Sequence, residues 1–96
     1  VLVDESFSYL NNLIHLFNVN SNITITIEGH TDNRGDFKSN IKLSKDRAET
    51  IRDFLILKGI NKSKIKVKGF GPTKPKFSNE SEDSRKLNRR VEIYVN

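Results

Sequence analysis

Apolar side chains recur at intervals of three and four residues in two stretches of the chain, the spacing typical of amphipathic helices. The first stretch predicts a helix over residues 4–18, with Asp4 or Ser6 as its N-cap. The second predicts a long helix over residues 39–58, with Gly59 as its C-cap. The apolar positions are Leu10, Leu13, Ile14 and Phe17 in the first helix, and Ile41, Leu43, Ala48, Ile51, Phe54, Leu55 and Leu57 in the second.

Three other stretches alternate apolar and polar residues, which is the pattern of strands with one buried face. They cover residues 23–28, 64–70 and 90–95, and one helical turn is expected near Asp83–Leu87. The order helix, strand, helix, strand, strand predicts an α+β sandwich with helices packed on one face of a small mixed sheet. Because a helix separates the first two strands, we expect them to be parallel with a right-handed crossover.

The composition limits the kind of site that the chain can build. With 96 residues it has room for one compact core, so a site is expected on a loop or an exposed face. It has no cysteine, and His15 and His30 lie too far apart for a zinc signature, so we expect no metal and no cofactor. Lys and Arg outnumber Asp and Glu by 17 to 12, and this net charge of +5 favours an anionic partner.

The ends of the sequence suggest a domain taken from a longer protein. The chain opens without an initiating methionine. No apolar stretch approaches the roughly 20 residues of a membrane-spanning helix, so we expect any targeting signal or membrane tether to lie outside these residues.

The segment Gly29–Gly35 is the main candidate for a functional site. It is rich in turn-forming residues and connects a predicted strand to the long helix, where loops commonly carry function. Asp32 has the alternative role of capping backbone amides in an Asx-turn. Arg47, on the following helix, has the alternative role of a solvated residue paired with Asp46 or Asp53.

A longer pattern includes these residues. Residues 29–48 contain the spaced motif GHTDxxGxxxxNxxLSxxRA, and further landmarks follow at Lys58–Ile60, Val67–Gly71, Pro75 and Asn88–Ile93. Over residues 25–95 the chain resembles the OmpA-like C-terminal domain family, shared by OmpA-type porins, the peptidoglycan-associated lipoprotein and flagellar stator proteins. The resemblance implies a single domain over residues 1–96, a sandwich of βαβαβ type from which the first family strand is absent.

The resemblance also implies a ligand. Domains of this family bind peptidoglycan non-covalently through the diaminopimelate of the stem peptide and so anchor the outer membrane or an envelope complex to the cell wall. Asp32 would meet the ammonium of diaminopimelate and Arg47 its carboxylate, since recognition needs an anion and a planar cation at a fixed separation. The other expected ligand-binding residues are Thr31, Asn33, Gly35, Asn40, Ser44 and Arg90.

Each of these further residues has a structural alternative. Thr31, Asn33 and Gly35 would then only build the turn, with Gly35 permitting a positive φ. Asn40 and Ser44 would hold the loop or cap the helix, which is the favoured role for both. Arg90, together with Arg89, would lie in internal ion pairs with Glu92 or Asp83. His30 is expected to be a packed residue rather than a pH switch. Leu43 is expected to lie in the core rather than in the site.

The resemblance places the domain in the periplasm of a Gram-negative bacterium, attached to the outer membrane through a tether outside the chain, with envelope proteins as further candidate partners. The alternative function is a protein-interaction module of an envelope complex that no longer binds peptidoglycan. A nucleic-acid binder would need exposed aromatic residues on the sheet, where only Phe70 and Tyr94 are available. An enzyme using Asp32, His30 and Ser44 would need a nucleophile elbow, a metal site or a phosphate-binding glycine loop, and the sequence contains none.

Overall fold

A computed structural model describes the backbone of residues 4–96 and the side chains from Tyr9 onward. Helices and strands form in the predicted order, and the proposed caps of the first helix, Asp4 and Ser6, lie outside the described side chains. The elements are α1 (Asp4–Val19), β1 (Ile25–His30), α2 (Phe37–Leu57), β2 (Ile65–Gly71), α3 (Glu82–Asn88) and β3 (Val91–Val95), with a short 3₁₀ helix at Lys62–Lys64 before β2.

The three strands form one mixed sheet in the order β2, β1, β3. Strand β1 pairs in parallel with β2, so that Ile25 lies opposite Ile65. It pairs antiparallel with β3, so that Ile27 lies opposite Ile93. The parallel pairing of the first two strands is as predicted from the helix between them. It makes β1 the central strand, so the loop at its carboxyl end lies in the middle of one edge of the domain.

The hydrophobic core lies between the helices and one face of the sheet. Alternation along β1 buries Ile25 and Ile27 completely on this face and leaves Thr26 and Glu28 on the other. Helix α2 packs against both β1 and β2. The buried apolar residues are Leu10, Leu13 and Phe17 of α1, Ile25 and Ile27 of β1, Ala48, Ile51 and Leu55 of α2, and Ile60 and Ile65.

Helix α2 begins two residues before the predicted start because of its N-cap. The Asp36 carboxylate accepts hydrogen bonds from the backbone nitrogen of Ser39 (2.9 Å) and from its hydroxyl (3.0 Å). The C-cap is Lys58, one residue before the predicted Gly59, and Gly59 follows it with the positive φ (+100°) common just beyond a helix end. The cap at Asp36 completes the loop that begins at Thr31.

Strand β1 and helix α3 also extend beyond their predicted bounds. Strand β1 continues through Gly29 to His30, whose nitrogen donates to the carbonyl of Arg90 (2.9 Å) and whose carbonyl accepts from the nitrogen of Arg90 (3.3 Å). Helix α3 is longer than the single turn predicted, because Ser81 caps its first turn by accepting from the Ser84 nitrogen (3.2 Å). No helix within residues 4–96 has the length and apolar character needed to cross a membrane.

Candidate functional site

The candidate site is centred on the loop Thr31–Asp36, between the carboxyl end of β1 and the start of α2. Its first two residues, Thr31 and Asp32, are buried, and the remainder is exposed. The Thr31 nitrogen donates to the carbonyl of Gly71 (2.9 Å), and its hydroxyl donates to the carbonyl of Asp32 (2.9 Å). The first half of the loop is therefore fixed to the end of β2, and the Thr31 hydroxyl is occupied within the loop.

Asp32 forms the Asx-turn predicted as its alternative role, and it also pairs with an arginine of the chain. Its Oδ1 accepts from the backbone nitrogen of Arg34 (3.0 Å), which is the Asx-turn, and its Oδ2 accepts from Nη1 of Arg89 (2.6 Å). Burial raises the pKa of the Asp32 carboxyl, but the bond from Arg34 and the bond and charge of Arg89 outweigh it and hold the pKa below its usual value. Asp32 is thus a buried carboxylate that is ionised at neutral pH.

Arg89 bridges Asp32 to helix α3. Its Nη2 lies 2.5 Å from Oε1 of Glu82, so one guanidinium group contacts two carboxylates. The bond to Glu82 and then the bond to Asp32 raise the pKa of Arg89. Glu82 also lies 3.6 Å from Nη1 of Arg34 and 3.5 Å from Nη2 of Arg85. From the sequence, the cation that pairs with Asp32 was expected to be the ligand ammonium. In the structure, Arg89 of the chain itself pairs with Asp32.

Arg47 is partly buried on α2 and has no hydrogen bond or ion pair with any side chain from Tyr9 to Asn96. Asp46 pairs with Lys42 (2.9 Å) and Asp53 with Arg52 (3.1 Å). The predicted alternative, in which one of these aspartates is the partner of Arg47, is therefore not observed among these residues. The guanidinium of Arg47 is available to a ligand.

Leu43 lies one turn before Arg47 on the same side of α2, and its assignment to the core was wrong. Its side chain is 42% exposed. The buried stripe of α2 consists of Ser44, Ala48, Ile51 and Leu55. Leu43 is one position away from that stripe, which rotates it by roughly 100° out of the core. An apolar side chain thus lies exposed beside the available guanidinium.

Asn40 and Ser44 hold neighbouring segments against α2. The Asn40 amide donates from Nδ2 to the carbonyl of Arg34 (2.7 Å). The fully buried Ser44 hydroxyl donates to the carbonyl of Ile41 (2.8 Å) and accepts from the nitrogen of Gly71 (2.9 Å). These contacts agree with the structural roles favoured from the sequence, and ligand contact by either residue stays a prediction.

The other predicted site residues divide between the loop and the start of β3. Asn33 and Gly35 are exposed in the loop, and Gly35 has the positive φ (+88°) that its place in the turn suggested. Arg90 bonds through Nε to Glu92, and through Nη1 and Nη2 to the carbonyls of Asn88 (3.3 Å) and Lys74 (3.2 Å). All three nitrogens of its guanidinium thus have partners inside the protein.

Asn88 is a structural residue that the sequence interpretation missed. It is completely buried, and its Oδ1 accepts from the nitrogens of Lys76 (3.0 Å) and Phe77 (2.9 Å). Its Nδ2 donates to the carbonyl of Phe77 (2.9 Å) and to Oδ1 of Asn79 (3.0 Å). Four bonds therefore fasten the long polar loop between β2 and α3 directly beside Arg89. Its partners lie 9 to 12 residues away, and no local periodicity marks them.

The acidic and histidine side chains from Tyr9 onward do not form a metal site. Within the described residues, no group of three or more His, Asp or Glu side chains has an arrangement that could hold a metal ion. The charged groups at the site are instead the buried carboxylate of Asp32, Arg89, which contacts both Asp32 and Glu82, and Arg47, which has no partner among the described side chains.

Comparison with known sequences settles the family. The sequence profile described as the OmpA family matches residues 3–89. The chain belongs to the OmpA family. The resemblance inferred from the GHTD and LSxxRA motifs is thereby confirmed.

Individual OmpA-family relatives and structures agree with this membership. The peptidoglycan-binding protein ArfA of Mycobacterium tuberculosis is 36% identical over 95 residues, which are 99% of this chain and 29% of ArfA. The peptidoglycan-associated lipoprotein of Buchnera aphidicola is 38% identical over 84 residues, 88% of this chain and 49% of that protein. This OmpA-family chain thus spans less than half the length of either relative.

Among solved structures, the peptidoglycan-associated lipoprotein of Burkholderia pseudomallei superposes with a TM-score of 0.93. It is 27% identical, with 99% of this chain and 80% of that chain covered. The similarity confirms the predicted α+β fold.

Proposed function

We propose that this OmpA-family domain binds peptidoglycan non-covalently through the diaminopimelate of the stem peptide, with Asp32 and Arg47 as the charged contacts. Two of its relatives, ArfA and the peptidoglycan-associated lipoprotein, are named for peptidoglycan binding or association. The observation that carries the proposal is that Arg47 is partly buried and has no partner among the described side chains.

Arg47 differs from the other arginines of the chain in having no partner among the side chains from Tyr9 to Asn96. The other five arginines each pair with at least one carboxylate; they are Arg34, Arg52, Arg85, Arg89 and Arg90. Arg47 has none within the described side chains, although it is partly buried. A guanidinium is charged at every physiological pH and binds a carboxylate through two parallel hydrogen bonds. Arg47 is therefore suited to the carboxylate of an external ligand.

The remaining groups suit the rest of the diaminopimelate side chain. That side chain ends in an ammonium and a carboxylate on one carbon, preceded by methylenes. Asp32 supplies the anion for the ammonium. Asn40, Leu43 and Arg47 share one face of α2, and Asn40 holds this face against the loop through the Arg34 carbonyl. Exposed Leu43 offers apolar surface to the methylenes.

The proposed setting is the periplasm, with the domain as the wall-binding end of a longer envelope protein whose outer-membrane tether lies outside these residues. The lipoprotein named among its relatives supports a tethered parent. The chain would then need no catalytic group, since anchoring requires binding alone. The competing function is a protein-interaction module without affinity for the wall. For such a module, substitution of Arg47 would not change sedimentation with peptidoglycan.

The direct test is co-sedimentation with purified peptidoglycan sacculi, using variants of equal charge change. Arg47→Gln is matched by Lys62→Gln, because Lys62 is exposed and precedes β2 at the end of the sheet opposite the loop. Asp32→Asn is matched by Asp53→Asn, an exposed residue near the other end of α2.

We expect both control variants to sediment like the wild type. Both site variants should lose affinity by about tenfold or more, the scale expected when one member of a charged, hydrogen-bonded contact is removed. Thermal unfolding of each variant checks that the fold is retained. Sedimentation of a folded Arg47→Gln protein at the wild-type level would contradict the proposal and favour the interaction module.

A further inference from the structure

We propose that Glu82 is a positioning residue for the ligand ammonium: by sharing Arg89 with Asp32, it keeps the Asp32 carboxylate available to an external cation. The inference rests on the proposed function and adds to it a residue outside both the loop and α2. Asp32 is already paired with a cation of the chain, Arg89.

Both oxygens of the Asp32 carboxylate accept hydrogen bonds, one from the Arg34 nitrogen and one from Arg89 at 2.6 Å. The residue is only 6% exposed. A ligand ammonium must therefore approach a carboxylate whose charge is partly balanced by Arg89, and the two cations repel each other at short range. The position of Arg89 determines how strongly Asp32 can attract the ligand.

Glu82 fixes that position. Arg89 presents one terminal nitrogen to Asp32 and the other to Glu82, at 2.5 Å. An arginine facing a single carboxylate tends to turn both nitrogens toward it, in the bidentate arrangement that neutralises the carboxylate most fully. Because Glu82 holds the second nitrogen, Arg89 contacts Asp32 through one nitrogen only. The rest of the Asp32 carboxylate is left for the ligand.

Glu82 contacts the loop on a second side as well. Its carboxylate lies 3.6 Å from Nη1 of Arg34, the residue whose backbone nitrogen bonds to Asp32. The Glu82 side chain is 54% exposed, so it can be replaced without opening the core. These contacts connect the start of α3 to both groups that hold the Asp32 carboxylate.

A purely structural role for Glu82 is the competing explanation, since an acidic residue in the first turn of a helix stabilises that helix. Asp83 provides the matched control. It occupies the same first turn of α3 with the same charge, and it forms no ion pair with any side chain that the structure describes. Glu82→Gln and Asp83→Asn therefore remove equal charge from the same turn, but only the first releases Arg89.

The test is calorimetric titration with two tripeptides. One is L-alanyl-D-glutamyl-meso-diaminopimelate; the other carries 2-aminopimelate as its third residue, which keeps the far carboxylate and lacks the far ammonium. We expect Glu82→Gln to weaken binding of the diaminopimelate peptide by about three- to tenfold. It should leave binding of the aminopimelate peptide unchanged, and Asp83→Asn should change neither.

Equal effects of Glu82→Gln and Asp83→Asn, or equal weakening of both peptides by Glu82→Gln, would overturn the role of Glu82 and leave the proposed function in place. Failure of the wild-type protein to bind the diaminopimelate peptide would overturn the proposed function, and this inference with it.

Discussion

The backbone of Gly29 in β1 lies directly against the carbonyl of Ser44 in α2, where a Cβ atom on Gly29 would be 1.9 Å from the Ser44 oxygen. No side chain fits in that space, so the central strand and the long helix touch backbone to backbone. Gly29 precedes Asp32 by three residues, and Ser44 precedes Arg47 by three. This single contact therefore sets the relative placement of the two proposed charged contacts.

Substitution of Gly29 by Ala should destabilise the domain severely. The added methyl group forces α2 away from β1, and we expect the free energy of unfolding to fall by about 3 kcal/mol. Urea denaturation measures the change. Gly59→Ala is the control, because that position has φ +100° but a Cβ atom there would have no neighbour within 4 Å, and it should lose only about 1 kcal/mol. Equal losses in the two variants would mean that the close approach of helix and strand does not exist in solution.

Asn88→Ala should release the loop between β2 and α3. The substitution leaves the backbone nitrogens of Lys76 and Phe77 without their acceptor, and we expect a loss of about 2–4 kcal/mol in the free energy of unfolding. Hydrogen exchange at these two amides should accelerate as well. Asn11→Ala, an exposed position on α1, should change neither quantity. Unchanged exchange at Lys76 and Phe77 would show that Asn88 does not hold this loop.

His30 is packed between charged and aromatic groups on the sheet face away from the helices. It is 1% exposed and stacks on Phe70 with ring centroids 5.5 Å apart. Its Nε2 lies 3.5 Å from Glu28 and 3.8 Å from Glu92. Burial, and then the charge of Arg90, lower the pKa of His30, while Glu92 and Glu28 oppose the shift without reversing it. The imidazole is therefore neutral in the folded protein at neutral pH.

This depressed pKa predicts a stability that falls on mild acidification. The unfolded chain takes up a proton on His30 near pH 6.5, whereas the folded protein does so only at lower pH. Between these two values the unfolded state binds more protons, so the contribution of His30 to stability is complete above pH 6.5 and declines as pH falls toward the folded pKa.

Urea denaturation between pH 5 and pH 8 should show this decline in the wild type and in His15→Gln, which alters an exposed histidine. The decline should be smaller in His30→Gln. The comparison between variants removes the contribution of the carboxyl groups, which titrate in all three proteins. An identical pH dependence in His30→Gln and the wild type would contradict the assignment.

The secondary structure followed from the sequence because its signals are local. Alternation over 23–28 and 64–70 and the helical spacing after Ser39 need only neighbouring residues, so the elements were placed correctly to within a few positions. Leu43 was wrongly assigned to the core because apolar residues lie on two adjacent faces of α2. Residue spacing alone does not distinguish the buried face from the exposed one. Only packing showed that the stripe through Ser44 is the buried one.

The candidate site was predictable in part for the same reason. The turn at Asp32 and the positive φ at Gly35 are properties of the loop itself. The bond between Asp32 and Arg89 joins residues 57 positions apart, and the contact of Arg89 with Glu82 depends on where α3 packs. Neither follows from spacing or composition, since both are set by the tertiary fold.

The most direct test of diaminopimelate recognition is an NMR titration of the domain with L-alanyl-D-glutamyl-meso-diaminopimelate and with the tripeptide that carries lysine in its place. Lysine keeps the ammonium and lacks the carboxylate that Arg47 is proposed to bind. We predict shifts in the amides of Thr31–Gly35 and in the Arg47 side chain for the diaminopimelate peptide, and much weaker binding of the lysine peptide. Equal binding of both peptides, or a folded domain whose Arg47 signals do not move, would contradict the account.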